Sequence, residues 1–588
     1  MFLLRNWKSE IWQSGFSLFM DRVPITSRGK CAQIAARGIS KLGSVKFMYD
    51  IKIVNGTVID GLGGQGYKAD VGVMDGRIAA IGDLQASEAR QVIDAAGKAV
   101  APGFIDMHTH SDISAVYDRK ISSKIHDGVT TEVIANCGIG VAPVSEEKKD
   151  LLIAYLGTRL VGSIPVKLEL LWNTMEEYFK VLEDNPTATN IAPLLAHGPI
   201  RIKEMGFSSA HPTPEQMQRM KEEIKVCMEA GCVGFSSGLV YMPGEYSTTD
   251  ELAELCTAVA PYKGFYVTHV RTESEGVFEA IEEAIEIAVK GGVPLHVSHL
   301  KLAGVDVSGQ TDRLFALIDK ARTAGLDMTF DVYPYNTGCT SLGACMSPWA
   351  FEGGVDKLLE RLHDQSVRDR IKYDIIHGIK GWQNFAHAVG GWHNLTIATV
   401  NNPSGEKYLG MNIRDAAAMA KKDPFDFSFD FLIEQNGRVQ VLNKMMLDED
   451  VEKIIAHPLS MIGSDGMSLS MEGLLSTGKP HPRAFGTRAR VLSKYVRDKK
   501  IITLEDAVSK MTSKPASRLR LKDRGVLKEG YFADITVFDP ETVEDVATFT
   551  DPKRYSRGFK AVIVNGKTAL LDDAEVCVYS GRVLRANR

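Results

Sequence analysis

Two histidines, His108 and His110, stand at i and i+2 in the run Pro102-Gly-Phe-Ile-Asp-Met-His-Thr-His-Ser-Asp112. On a strand, alternate residues face the same way, so both imidazoles would look to one side. Two converging neutral imidazoles are a common beginning of a zinc site. Taken alone, the pair could equally be an ordinary feature of a half-exposed strand. Further polar groups occur at the ends of other apolar runs: Asn136-Cys137-Gly138, Thr268-His269, Ser298-His299 and Ser464-Asp465-Gly466. Thiolate, imidazole and carboxylate are the ligand set that zinc prefers. Each has a plainer reading: Cys137 a small core residue, His269 and His299 hydrogen-bonded core histidines, Asp465 a helix N-cap. Six such groups at five strand ends favour a metal site over six separate coincidences.

The elements that must bring these groups together can be read from the apolar pattern. Strands are expected at 103–108, 130–136, 190–197, 232–237, 264–271, 293–299, 328–333 and 460–464, and amphipathic helices at about 213–230, 249–262, 275–290 and 310–324. Eight β-α units in series argue for a (β/α)8 barrel, whose active site lies at the C-terminal ends of its strands. A doubly wound sheet is the competing topology, but no GxGxxG follows the first strand. The interval 341–457 is too long for a plain connection and should hold helices of its own, placed to form a lid. Both chain ends are β-rich. The pattern 51–54, Asn55-Gly56, 57–59 reads as a hairpin, and 561–564 with Asn565-Gly566 repeats it. The expected architecture is therefore a distorted (β/α)8 TIM barrel (101–513, with the 341–457 insertion). A small β-sandwich domain formed by both chain ends (48–100 and 514–588) accompanies it.

Composition narrows the partners. The formal net charge is −5 over 588 residues, with no dominant basic stripe, which argues against nucleic acid. No run is long and apolar enough to span a membrane. Eight irregularly spaced cysteines form no disulfide framework, so a reducing, cytoplasmic setting is expected. Residues 1–47 differ: eight Lys or Arg against Glu10 and Asp21 give a local charge of +6. They read as a basic N-terminal extension, either a targeting segment or one without a role in the fold, ahead of a clean strand pattern from Met48.

Over about residues 48–588 the chain resembles the amidohydrolase superfamily, and within it the N-acyl-D-amino-acid deacylases. The segments that carry the resemblance are the His108 run, Gly128-Val-Thr-Thr131 with Asn136-Cys137-Gly138, Thr268-His-Val-Arg-Thr-Glu273 and Ser298-His-Leu-Lys301. To these are added Asp331-Val-Tyr-Pro-Tyr335, Gly463-Ser-Asp-Gly466, His481-Pro-Arg483 and Gly530-Tyr-Phe-Ala-Asp534. The resemblance implies zinc-dependent hydrolysis of N-acyl-D-amino acids, or of dipeptides ending in a D-residue. It implies that Cys137, His269 and His299 hold a tight zinc. His108, His110 and Asp465 would make a second, weaker position, with Cys137 able to bridge. Asp465 is implied as general base and acid, and Lys301, Tyr333 and Arg483 as the groups that hold the substrate carboxylate. Hydantoinases and dihydroorotases share the HxH but usually bridge their metals with a carboxylated lysine on the fourth strand. That strand here, Cys232-Val-Gly-Phe-Ser-Ser-Gly238, has none. A cyclic-amide hydrolase and a non-catalytic scaffold of the same fold stand as alternatives. Two departures, His126-Asp127 where relatives often have Gln and Cys339 where many have Ser, are expected near the substrate pocket or its walls.

Overall fold

The computed structural model describes residues 48–160, 168–576 and 578–586. Residues 1–47, read above as a basic extension, lie outside them. Eight strands form the central barrel: β1 (Phe104–Asp106), β2 (Val129–Ile134), β3 (Asn190–Pro193, continued by Leu195–Ala196), β4 (Phe235–Gly238), β5 (Tyr266–His269), β6 (Leu295–Val297), β7 (Met328–Val332) and β8 (Ser460–Ile462). Neighbours pair in parallel from β1 to β8. The ring closes where the Asp465 N–H donates to His108 O at 2.8 Å and the His110 N–H to Gly466 O at 3.2 Å. Ile105, Val133, Ala192, Val267 and Met461 share one buried cluster in its interior. Small and branched side chains fill such a barrel rather than leaving a pore.

The crossover helices follow local chemistry. Thr213 caps Pro214–Ala230 through a capping box with Gln216, Pro214 opens the helix, and Gly231 ends it at φ 119°. Thr248 accepts the Glu251 N–H at the start of Thr249–Val259. Helix α1 (Lys149–Arg159) follows β2, and α2 (Arg483–Arg490) follows β8 with a break in helical geometry at Gly486.

Between β7 and β8 lies a three-stranded antiparallel sheet, ordered Thr337–Ser341, Gln440–Lys444, Leu395–Thr399, together with helices that include Gln365–His377 and Pro424–Glu434. The sequence reading anticipated the helices but not the sheet. Both chain ends build two further sheets. Met48–Val54, Asp70–Met74, Arg77–Gly82 and Glu88–Asp94 make one of them. In the other, Ile535–Phe538 pairs on one side with Ala99–Pro102 and on the other with Phe559–Val564. Ile53, Val71, Val100, Ile535 and Ile563 belong to a buried cluster shared by the two sheets, as in a sandwich.

The Asn55-Gly56 hairpin is a correction. Met48–Val54 and Thr57–Val58 do not pair; they lie in different sheets, and Asn55-Gly56 is the corner between them. Asn55 takes φ 63°, its N–H donates to Asp70 Oδ1 at 3.0 Å, and a Cβ on Gly56 would sit 2.5 Å from Val100 Cγ2. Asn565-Gly566 does join a hairpin, Phe559–Val564 with Lys567–Leu571.

Candidate metal centre and substrate cavity

The six expected donors converge at the C-terminal mouth of the barrel. The donor atoms of His108, His110, Cys137 and Asp465 all lie within 4.8 Å of one another, as do those of Cys137, His269 and His299. Cys137 Sγ is 3.3 Å from both His108 Nε2 and His299 Nε2. Sulfur and nitrogen on one tetrahedral zinc stand roughly 3.5 Å apart, so the spacing suits a shared ion. His110 Nε2 lies 3.1 Å and His108 Nε2 3.7 Å from Asp465 Oδ1.

Backbone strain marks the same positions. Cys137, His299 and Asp465 take φ of 53°, 32° and 50°, a region that costs non-glycine residues about 1 kcal/mol or more. Each lies just past the end of a strand, where a left-handed residue turns the side chain across the barrel mouth.

Electrostatics fit a cation. Both nitrogens of buried His269 find no hydrogen-bond partner, and neither does His110 Nδ1. Burial holds His269 well below the ordinary imidazole range, so its ring is neutral and free to donate a lone pair. Burial likewise lowers His110 and His299. Burial pushes the Cys137 thiol well up, and the Asp465 charge adds to it; only a cation would favour the thiolate there. An orphaned imidazole beside a soft thiol and a carboxylate is a donor set that matches zinc.

Residues behind the donors fix their orientation, and the sequence reading gave them no role. Asp331, on β7, lies 3.3 Å from His108 Nδ1 and 2.9 Å from His296 Nε2, and accepts the His299 N–H at 3.0 Å. Glu273 Oε1 lies 3.0 Å from His299 Nδ1 and accepts a hydrogen bond from Lys301 Nζ. Burial alone would raise Glu273, but the Lys301 ammonium and the hydrogen bond with the His299 ring hold it well below the usual carboxylate range. Both acids stood inside recognisable segments, and the His269-to-Glu273 spacing was the only sign of a partnership. Such carboxylates fix the tautomer and angle of a ligating ring.

The expected carboxylate-binding trio faces the same cavity. Lys301, Tyr333 and Arg483 line a space of about 980 Å³, open mouth included, with His110, His269, His299 and Asp465. Arg483 Nη1 lies 2.7 Å from Asp465 Oδ2, close in charge but not angled as a hydrogen bond. Burial would raise Asp465, yet the Arg483 guanidinium and the His299 and His110 rings keep it ionised. The Arg483 guanidinium carbon and Lys301 Nζ lie 4.9 and 5.3 Å from the Tyr333 ring centre. His481 sets the start of α2: its Nδ1 accepts the Arg483 N–H at 3.0 Å and its Nε2 donates to Thr337 O at 2.8 Å.

Of the two departures, Cys339 lines the cavity, on the inserted sheet. His126 and Asp127 do not. His126 stacks on Tyr555 at 4.1 Å and pairs with Glu575. Asp127 accepts the Arg488 and Ala489 N–H groups of α2, just beyond the break at Gly486. That pair joins barrel to sandwich and supports the helix that carries Arg483.

Comparison with known proteins places the fold among relatives. The profile of the amidohydrolase family matches residues 91–570. The D-aminoacylase of Alcaligenes xylosoxydans xylosoxydans is 33% identical over 543 residues, 91% of this chain and 97% of its own length. The N-acyl-D-glutamate deacylase of the same organism is 34% identical, covering 91% and 96%. Among solved structures, the N-acyl-D-glutamate deacylase of Bordetella bronchiseptica, complexed with zinc and a phosphonate mimic of the tetrahedral intermediate, superposes with a TM-score of 0.76 at 32% identity. The match covers 92% of this chain and 100% of that one. A D-hydantoinase from Bacillus sp. AR9 shares the fold at a TM-score of 0.52 and 14% identity, covering 91% and 99%.

Proposed function

Since this chain belongs to the amidohydrolase family, in its N-acyl-D-amino-acid deacylase branch, we propose that the donor cluster at the barrel mouth is its catalytic centre. The protein is a metal-dependent hydrolase that cleaves the linear amide of N-acyl-D-amino acids, releasing a carboxylate and a D-amino acid. The observation that carries the site reading is the convergence of Cys137 on His108 and His299 beside an imidazole, His269, whose ring nitrogens make no hydrogen bond among the described residues.

Cys137, His269 and His299 would hold the tight zinc. His108, His110 and Asp465, with Cys137 shared, would make the weaker second position. Zinc bound there supplies a Lewis acid that acidifies water to a pKa of about 7 and polarises the amide carbonyl. Asp465 then does the proton work. Its carboxylate accepts a proton from the attacking water, becomes a neutral acid, and returns the proton to the departing amine. Arg483 keeps that carboxylate ionised between turnovers. Arg483 also offers a planar fork for the substrate α-carboxylate, with the Lys301 charge and the Tyr333 hydroxyl beside it. Anchoring that carboxylate orients the amide over the donor cluster and selects the D-isomer. The inserted sheet supplies the cavity wall through Cys339 and Asn443 and would act as the lid. The cytoplasm is the compartment proposed, because reducing conditions keep a thiolate ligand unoxidised.

The first test is turnover of N-acetyl-D-amino acids beside their L-isomers and hydantoin, with zinc removed by chelation and then restored. Deacylation confined to D-substrates, lost on chelation and regained with zinc, is expected. Hydrolysis of hydantoin in preference would establish the cyclic-amide alternative instead.

A further inference from the structure

Among the described residues the cavity is lined by three Lys or Arg side chains, and two of them are matched. Lys301 meets Glu273 and Arg483 meets Asp465. The third, Arg159, ends α1 and meets no carboxylate among the described residues. Its guanidinium lies over the Tyr241 ring, 4.1 Å from the centre, and Nη1 donates to Ser341 Oγ at 3.2 Å. Nε is buried and has no hydrogen-bond partner among the described residues. Burial lowers the pKa of this guanidinium. The C-terminal dipole of α1 offsets part of the charge but gives Nε no acceptor. An arginine desolvated and left short of acceptors is costly unless something completes it.

Position says what could complete it. Lys301, Tyr333 and Arg483 follow β6, β7 and β8. Arg159 lies on the other flank, against Tyr241, whose ring centre is 5.1 Å from that of His269. All line one cavity. A substrate with its α-carboxylate at Arg483 and its amide at the donor cluster would still face an unmatched guanidinium with its remaining arm. Arginine at such a place favours a carboxylate, which its fork can bind through two N–H groups.

We propose that Arg159 receives a second carboxylate of the substrate, so that the enzyme prefers dianionic N-acyl-D-amino acids. This rests on the deacylase reading above. The second carboxylate would come from an acidic D-side chain or from a dicarboxylic acyl group.

Two substrate pairs separate these sources: N-acetyl-D-glutamate against N-acetyl-D-glutamine, and N-succinyl-D-leucine against its succinamoyl counterpart. In the zinc-loaded wild type, kcat/KM should favour the dianion in one pair by roughly 10- to 100-fold, the range of a charge-assisted hydrogen bond. That pair identifies the source. Arg159→Met, which keeps volume, should bring the ratio to about one, and Arg159→Lys should retain part of it. No preference in either pair, or a preference that survives Arg159→Met, overturns the proposal. An equal loss on both members of a pair would mark Arg159 as structural and overturn it too. If the zinc-loaded wild type hydrolyses no N-acyl-D-amino acid at all, the deacylase reading falls, and this inference with it.

Discussion

Asp465 touches more of the reaction than any other side chain, since it faces His108, His110 and Arg483 at once. Asp465→Asn keeps the shape and one oxygen but cannot carry a proton back and forth. Turnover should fall on the order of 10² to 10⁴-fold while zinc at the Cys137 position stays; metal content and kcat on one preparation check both. A second residue-scale prediction concerns Glu245, whose Oε2 is buried without a partner. Burial raises its pKa to about 8, against the small pull of Arg271. A raised carboxyl stabilises the fold below its unfolded pKa, and that contribution is lost as pH rises through about 8. Glu245→Gln removes the dependence. Its unfolding midpoint should therefore exceed that of the wild type at about pH 9, and the gap should narrow toward about pH 5 in a thermal melt. The convergence of six donors was legible in the sequence because each sits in a short run at a strand end. Asp331, Glu273 and Arg159 were not, because their meaning lies in partners or in the want of them. His296 and His108 come to Asp331 from other strands.

At the scale of elements, one buried carboxylate ties the barrel seam. Asp106, on β1, accepts from Lys124 Nζ at 2.9 Å, Arg488 Nη1 at 2.8 Å and the Ser464 N–H at 2.8 Å. It joins the first strand, the segment past the eighth, and α2. Asp106→Ala leaves two cations buried without their counter-charge, which should cost about 3–5 kcal/mol. Chemical denaturation measures it, and a loss below about 1 kcal/mol would show that Lys124 and Arg488 find other partners. The barrel strands were legible for a local reason, since each is a short apolar run followed by polar residues. The Asn55-Gly56 corner was not. A hairpin and a corner use the same left-handed dipeptide, and only the distant Asp70 and Val100 decide between them. The inserted sheet escaped for a related reason. Its strand Gln440–Lys444 finds its neighbours only through Thr337–Ser341 and Leu395–Thr399.

At the scale of the molecule, barrel and sandwich meet on aromatic rings. Phe104 of β1 packs against Phe538 and Phe559, with ring centres 5.8 and 6.4 Å apart. Phe538→Ala empties that junction and should cost about 3–5 kcal/mol. A melt that splits into two transitions, sandwich before barrel, is the expected readout; one unchanged transition would argue against the coupling. The pairing of Ala99–Pro102 with Ile535–Phe538 has a consequence for biosynthesis. A ribosome exposes the first strand long before its neighbour exists, and adds residues at about 5–20 per second. For tens of seconds the nascent chain therefore carries an open β edge beside a half-built barrel. Residues 578–586 act later still: the Leu584 N–H donates to Ile191 O, and Val583 bridges to the third barrel strand. The partners of these earlier strands are thus made late, and a nascent chain stalled before residue 535 offers a sticky edge to any chaperone or neighbour that reaches it first.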